Sequence, residues 1–131
     1  MWSNKYVEIP FAEHGRSLEG CDCWGLACVI YKQELGINLP ELLDYKNTKD
    51  SQTIAELYKE EHRRWTEISE GGEKPFDILI FNVMGLPTHV GIVITKGLMI
   101  HCEYGIGTHV TEYKRELAWK KRLVGIYRYE R

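Results

Sequence analysis

Gly20-Cys21-Asp22-Cys23-Trp24-Gly25-Leu26-Ala27-Cys28-Val29-Ile30-Tyr31 runs from a turn straight into an apolar helix, with a cysteine at the junction. Gly20 frees the backbone for the turn. Asp22 suits the N-cap, because its carboxylate can accept from the unpaired N–H groups of a first turn. Cys23 is then the first helical residue, at the positive end of the helix dipole, where a thiolate is favoured. The thiolate is the nucleophilic form of cysteine, so this position suits a catalytic thiol. From Leu26 to Tyr31 the helix is apolar nearly all round and reads as the central helix of the domain. It is expected to reach about Leu35, with Gly36 as its C′ residue and Pro40 preventing its resumption.

Working outward, residues 1–20 form a mixed segment in which Tyr6, Val7, Ile9 and Phe11 can pack and Pro10 breaks any long helix. His14-Gly15-Arg16-Ser17 is a polar loop leading towards Cys23. After a turn-rich stretch from Asn38 to Asp50, Thr53-Ile54-Ala55-Glu56 matches a capping box. The amphipathic helix it starts is expected to end near Trp65 and to form one wall of a cleft. Beyond Gly71-Gly72 the apolar period becomes that of strands, placed near 77–83, 88–95, 98–103, 108–113 and 123–129. Helices first and then consecutive strands on short turns predict an α+β fold with an antiparallel sheet of about five strands.

The chain of 131 residues reads as a single domain, 1–131. A net charge of −2 without a basic block gives no electrostatic reason to expect nucleic acid or an anionic membrane as partner. No secretory signal and no stretch of membrane-spanning length is visible, so synthesis in the cytoplasm is expected. Cys21, Cys23 and Cys28 crowd together, unlike a disulfide framework, and with Cys102 they read as reduced thiols. Cys21-x-Cys23 is too short for a zinc knuckle, so no metal and no cofactor is expected.

A cysteine nucleophile needs a base and a group to orient that base. His89 opens the strand Thr88-His89-Val90-Gly91-Ile92, and His101 lies in the next, Met99-Ile100-His101-Cys102. A tight hairpin at Lys96-Gly97 sets His89 opposite a residue near 104 and His101 opposite one near 92, which makes the histidines diagonal neighbours at best. His109 is expected at the far end of the sheet, without a role. Asp22-Cys23-Trp24-Gly25-Leu26, Phe76-Asp77-Ile78-Leu79-Ile80-Phe81, His89-Val90-Gly91-Ile92 and Met99-Ile100-His101 follow in this order. Together they resemble the NlpC/P60 family of papain-like cysteine peptidases. The likeness runs from about residue 6 to 113, and its lead-in, Tyr6 to Phe11, is most similar to small stand-alone phage members of tails and gene-transfer particles.

The resemblance implies a papain-like fold with Cys23 as nucleophile, His89 as general base and His101 as the group that orients it. It also implies that the Cys23 N–H forms part of an oxyanion hole. The implied reaction is hydrolysis of amide bonds in peptidoglycan stem peptides, next to D-glutamate and a diamino acid, at the cell wall and on a phage tail or particle. Family members often carry a tyrosine about a dozen residues before the cysteine. Phe11 stands there, which leaves Tyr6 or His14 to supply a hydrogen bond, or none. Arg16 is a candidate to bind a stem-peptide carboxylate and Trp24 a candidate substrate platform, each weighed against a solvated arginine and a core ring. Two other readings stand beside the peptidase: a structural tail-assembly component with little activity, and acyl or amide transfer to a small metabolite.

Overall fold

The computed structural model describes residues 1–130. A short hairpin, β1 (Arg16–Ser17) and β2 (Gly20–Cys21), delivers the chain to helix α1 (Cys23–Ile30). Asp22 caps α1, its carboxylate accepting from the Gly25 N–H at 2.8 Å. The hairpin backbone lies so close to the first helical turn that a Cβ on Gly25 would sit 1.9 Å from the Gly15 carbonyl oxygen. α1 runs on as a wider π turn, Tyr31–Leu35, closed by Gly36 at φ 67°. The left-handed backbone there is what a C′ glycine supplies.

Helix α2 spans Ser51–His62 and starts earlier than its capping-box signature implies. Asp50 takes the N-cap position, and Thr53 lies inside the first turn with its hydroxyl donating to the Asp50 carboxylate at 3.0 Å. Six antiparallel strands follow: β3 (Thr66–Glu67), β4 (Ile78–Val83), β5 (Leu86–Thr95), β6 (Leu98–Glu103), β7 (Gly107–Thr111) and β8 (Leu123–Arg128). They lie in the order β3-β8-β4-β5-β6-β7. The architecture is the expected α+β one, with β3 added as a two-residue exposed edge that carries no alternating pattern to read. A single turn of helix, α3 (Leu117–Lys120), connects β7 to β8.

Side-chain alternation gives the sheet two apolar faces. Ile78, Ile80, Val90, Ile92 and Ile100 pack with Leu26 and Ile30 of α1 and Ile54 of α2. Leu79, Phe81, Val93, Met99 and Ile126 of β8 face the other way and pack with Tyr113 and with Trp119 of α3. Among the described residues no helix is long and apolar enough to cross a membrane.

Two irregularities shape the end of the sheet nearest Cys23. Thr95 pairs with Leu98, but Val93 pairs with Met99 and Ile92 with Ile100, a bulge of one residue. Uninterrupted pairing would have set His101 across from Ile92, on the face away from His89. The bulge shifts it to the face of Gly91 and His89, because a slip of one residue exchanges the two faces. The β5–β6 ladder then ends at Ile92–Ile100, whereas β4–β5 runs on to Val83–Leu86 and β6–β7 to Glu103–Gly107. β5 and β6 therefore part, and the first turn of α1 meets the gap.

The sequence offers Arg16 as a substrate contact, and the structure places it elsewhere. Its guanidinium donates to Asp22 at 2.7 Å, to the Gly15 and Glu41 carbonyls and to the Tyr45 hydroxyl. The Arg16 and Asp22 side chains are 9% and 2% exposed. A fork so fully occupied holds the helix cap and has no donor left for a ligand. Trp24 is likewise a core residue, buried against Tyr58 and Trp65 with its indole N–H donating to the Pro40 carbonyl at 2.8 Å. Replacing Arg16 by Met leaves a buried carboxylate without its cation, which costs about 3 kcal/mol. Urea denaturation of Arg16→Met is expected to show a loss of that order, and a loss below about 0.5 kcal/mol would mean that the pair is in effect a solvated one.

Candidate active site

The gap between β5 and β6 opens as a cleft of about 260 Å³. Cys23 of α1, Ile54 and Tyr58 of α2, Thr88 and His89 of β5, and Cys102 and Glu103 of β6 line it. Phe11, Asp22, Tyr45, Thr48, Val83, Tyr104, Trp119 and Arg122 complete its walls. α2 thus forms one wall, as its position after the cysteine helix led us to expect.

Cys23 and His89 enter the cleft from different sides of the sheet. The Cys23 Sγ lies 3.8 Å from the Thr88 carbonyl oxygen and 3.4 Å from the Tyr58 hydroxyl, and the Val90 N–H is also turned to it. The thiol therefore rests on the β5 backbone at the residues flanking His89. The His89 ring leaves that backbone on the second face, against Phe81 and Trp119. Among the described residues, the thiol's side-chain hydrogen-bond partner is Tyr58 and not the His89 imidazole.

His89 and His101 do meet. His89 Nε2 and His101 Nδ1 are 2.8 Å apart, and His101 Nε2 is 2.8 Å from Thr111 Oγ1. The Glu103 carboxylate, 3.7 Å from His101 Nε2, favours the proton on that nitrogen. His101 Nε2–H then donates to Thr111, and His89 Nε2–H donates to His101 Nδ1. This tautomer pair leaves His89 Nδ1 as an unprotonated acceptor. His101 is fully buried and Trp119 packs against both rings, so the pair is held rigidly.

Burial governs the charges. It pushes the Cys23 thiol up to about 11, with the Asp22 carboxylate adding to the rise and the Tyr58 hydroxyl and Val90 N–H opposing it. It pushes His89 down to about 3 and His101 to about 2, and the Arg122 cation contributes in the same direction. The helix-start position alone led us to expect a thiolate. In this cleft desolvation outweighs the dipole, and both shifts favour the neutral forms of thiol and imidazole.

Other expectations are corrected by the geometry. His109 does lie on the terminal strand, β7, but its ring is not remote from the histidine pair. It pairs directly with His101 across β6–β7, their ring centroids 4.5 Å apart, and it bonds Glu103 at 2.9 Å. His101, Glu103 and His109 bring three potential ligand atoms within 4.8 Å of one another, but both ring nitrogens of His101 are already spent on His89 and Thr111. Neither Tyr6 nor His14 stands at the thiol: Tyr6 donates to Glu34, and His14 bonds the Tyr45 carbonyl. The hydroxyl at the sulfur is Tyr58. Its position in the α2 sequence reads as an ordinary core position, and only the folded chain shows that it faces Cys23.

Comparison with known proteins agrees with this architecture. The sequence model described as the NlpC/P60 family matches residues 8–128. The chain is 27% identical to a gamma-DL-glutamyl hydrolase of Bacillus subtilis (strain 168), over 98% of its own length and 28% of that protein's. It therefore spans little more than a quarter of that relative. The NlpC/p60 domain of the peptidoglycan hydrolase SagA superposes with a TM-score of 0.67 at 21% identity, covering 95% of this chain and 91% of that one. An NLP/P60 family protein similar to a lipoprotein, from Staphylococcus aureus, gives 0.69 at 25% identity over 98% of this chain and 39% of its own.

The charge state of the free cleft is open to measurement. Alkylation of Cys23 by iodoacetamide, followed at its peptide by mass spectrometry, should stay slow at pH 7 and accelerate towards pH 11, since a raised pKa delays thiolate formation. A reactive limb below the ordinary thiol value of about 8.5 would show instead that the imidazole moves onto the sulfur in the free protein.

Proposed function

The chain belongs to the NlpC/P60 family, and from that premise we propose that it is a cysteine peptidase hydrolysing amide bonds in peptidoglycan stem peptides, next to D-glutamate. One observation carries the reading. A cysteine at the head of a buried helix and His89, the outer member of an aligned His89–His101–Thr111 chain, open on the same cleft. The name of the Bacillus subtilis relative, a gamma-DL-glutamyl hydrolase, supports the glutamyl side of the assignment.

In the proposed reaction the Cys23 sulfur attacks the carbonyl carbon of the amide. His89 Nδ1 takes the thiol proton as the carbon–sulfur bond forms, because a free thiolate is disfavoured in the cleft. Reorientation of the thiol from Tyr58 towards His89 precedes this step. The developing oxyanion is met by the Cys23 N–H at the helix start and by the Tyr58 hydroxyl, which is freed as the sulfur departs from it. His89 returns its proton to the leaving amine, and water hydrolyses the thioester. His101 is a positioning residue: by accepting from His89 Nε2–H it keeps Nδ1 the basic nitrogen.

Tyr58 here fills a role that Phe11, without a hydroxyl, cannot. Carriage on a phage tail or particle is a separate part of the proposal. It rests on the resemblance of the lead-in segment, and co-purification with particles tests it.

Purified protein is expected to cleave muropeptides in their stem peptide, and Cys23→Ala is expected to abolish cleavage while keeping the fold by circular dichroism. Cleavage that persists in Cys23→Ala, or none in either protein, would overturn the assignment. Tyr58→Phe removes one oxyanion donor and should lower kcat by roughly 100-fold with little change in KM. A change confined to KM would place Tyr58 in substrate binding instead.

A further inference from the structure

The cleft holds three charged side chains, and two of them are already committed. Asp22 is bound by Arg16, Tyr45 and the Gly25 N–H. Glu103 is paired with His109. The third, Arg122, is different. It stands just before β8, and its backbone is fixed by the Asn82 N–H, which donates to the Arg122 carbonyl at 2.8 Å. Its Nε donates to the Ala118 carbonyl at 2.8 Å, and its guanidinium carbon lies 4.3 Å from the centroid of the Trp119 ring. Among the described residues no acidic side chain and no hydrogen-bond acceptor takes its two terminal nitrogens.

A guanidinium stacked on an aromatic ring and tethered through Nε has little rotamer freedom left to lose. Its outer edge offers two parallel donors, which match the oxygens of a carboxylate. Trp119, on which it stacks, also touches His89 and His101, with centroid separations of 5.1 and 4.8 Å. The cation is close enough to help hold both imidazoles neutral. A cation so placed lines the cleft beside the reacting groups with its outer edge free to receive an anionic group.

We propose that Arg122 binds the free α-carboxylate of the residue whose side-chain carbonyl is attacked, and so selects γ-glutamyl bonds that carry a carboxylate over those that carry a carboxamide. The inference rests on the peptidase reading above and adds the residue that distinguishes a free carboxylate from a carboxamide on the acyl side. A γ-linked glutamate differs from a peptide-linked one in this respect: its α-carboxylate stays free, a short methylene chain from the scissile carbonyl. A carboxamide at that position presents one acceptor and one donor, and the donor faces the guanidinium edge, which has no acceptor. Discrimination of this kind is large when a site's own polar groups would otherwise be left unpaired. Arg122 thus takes the part that the sequence offered to Arg16.

Two synthetic stem peptides, identical except for an α-carboxylate or an α-carboxamide on the γ-linked D-glutamyl residue, test the proposal. The wild-type protein is expected to cleave the carboxylate form with a kcat/KM at least 10-fold higher. Arg122→Gln should lose that preference, bringing the ratio to within about 2-fold of unity. Arg122→Lys keeps the charge but not the fork, and should retain part of the preference. The ratio is the deciding quantity, because a substitution that merely loosens Trp119 lowers both rates together and leaves their ratio unchanged. If the wild type cleaves both peptides equally, or if Arg122→Gln keeps the wild-type ratio, the carboxylate site is wrong while the peptidase reading stands. If it cleaves neither peptide, the peptidase reading itself fails.

Discussion

The Asp22 carboxylate accepts from the Gly25 N–H, the Arg16 guanidinium and the Tyr45 hydroxyl, and it is almost wholly buried. Everything at the reactive end of the molecule depends on this cluster. It fixes where α1 begins, and so where Cys23 stands. It joins three separate parts of the chain, the hairpin before the helix, the helix itself and the long connection after it. It has an electrostatic cost as well, because a negative charge beside Cys23 disfavours a second one on the sulfur. Arg16 keeps the cap from being an unpaired buried charge.

The sheet makes its contribution through irregularity. A regular β5–β6 hairpin would put His89 and His101 on opposite faces. One extra residue, between Val93 and Thr95, brings them to the same face, and the early end of the ladder opens the cleft beside them. The same break lets the Cys23 thiol rest on the exposed β5 backbone at Thr88 while the His89 ring turns away to its partners. Bulges commonly re-aim side chains in this manner. Here the bulge joins a packing feature to the hydrogen-bond chain that sets the tautomer of His89.

Local signals carried much of this in the sequence. The Asp22 cap, the glycine at Gly36 and the run of period-2 strands are local features, and each was readable without the fold. The start of α2 was misplaced because two overlapping caps, Asp50 and Thr53, compete within three residues, and the earlier one wins by taking the later as its own ligand. The bulge, the cross-strand His101–His109 pair and the Tyr58 contact are set by tertiary register, to which propensity and spacing are blind. Arg16 and Arg122 show the same limit from another side. Both are arginines in short polar stretches. One proves fully occupied by hydrogen bonds and the other keeps a free edge in the cleft, a distinction that only the partners around them decide.

The neutral pair has a consequence for how the proposed chemistry runs. Moving a proton from a thiol held near 11 to an imidazole held near 3 is strongly uphill while the resulting charges are apart. Contact between them recovers only about 4 kcal/mol at 4 Å and an effective dielectric constant of 20. A long-lived thiolate–imidazolium pair is therefore disfavoured in the free cleft. Proton transfer concerted with carbon–sulfur bond formation avoids it, since the negative charge passes to the carbonyl oxygen, where the Cys23 N–H and the Tyr58 hydroxyl are available. The carboxylate proposed to bind Arg122 would offset one of the smaller causes that hold both histidines down, while burial, the larger cause, stays in place.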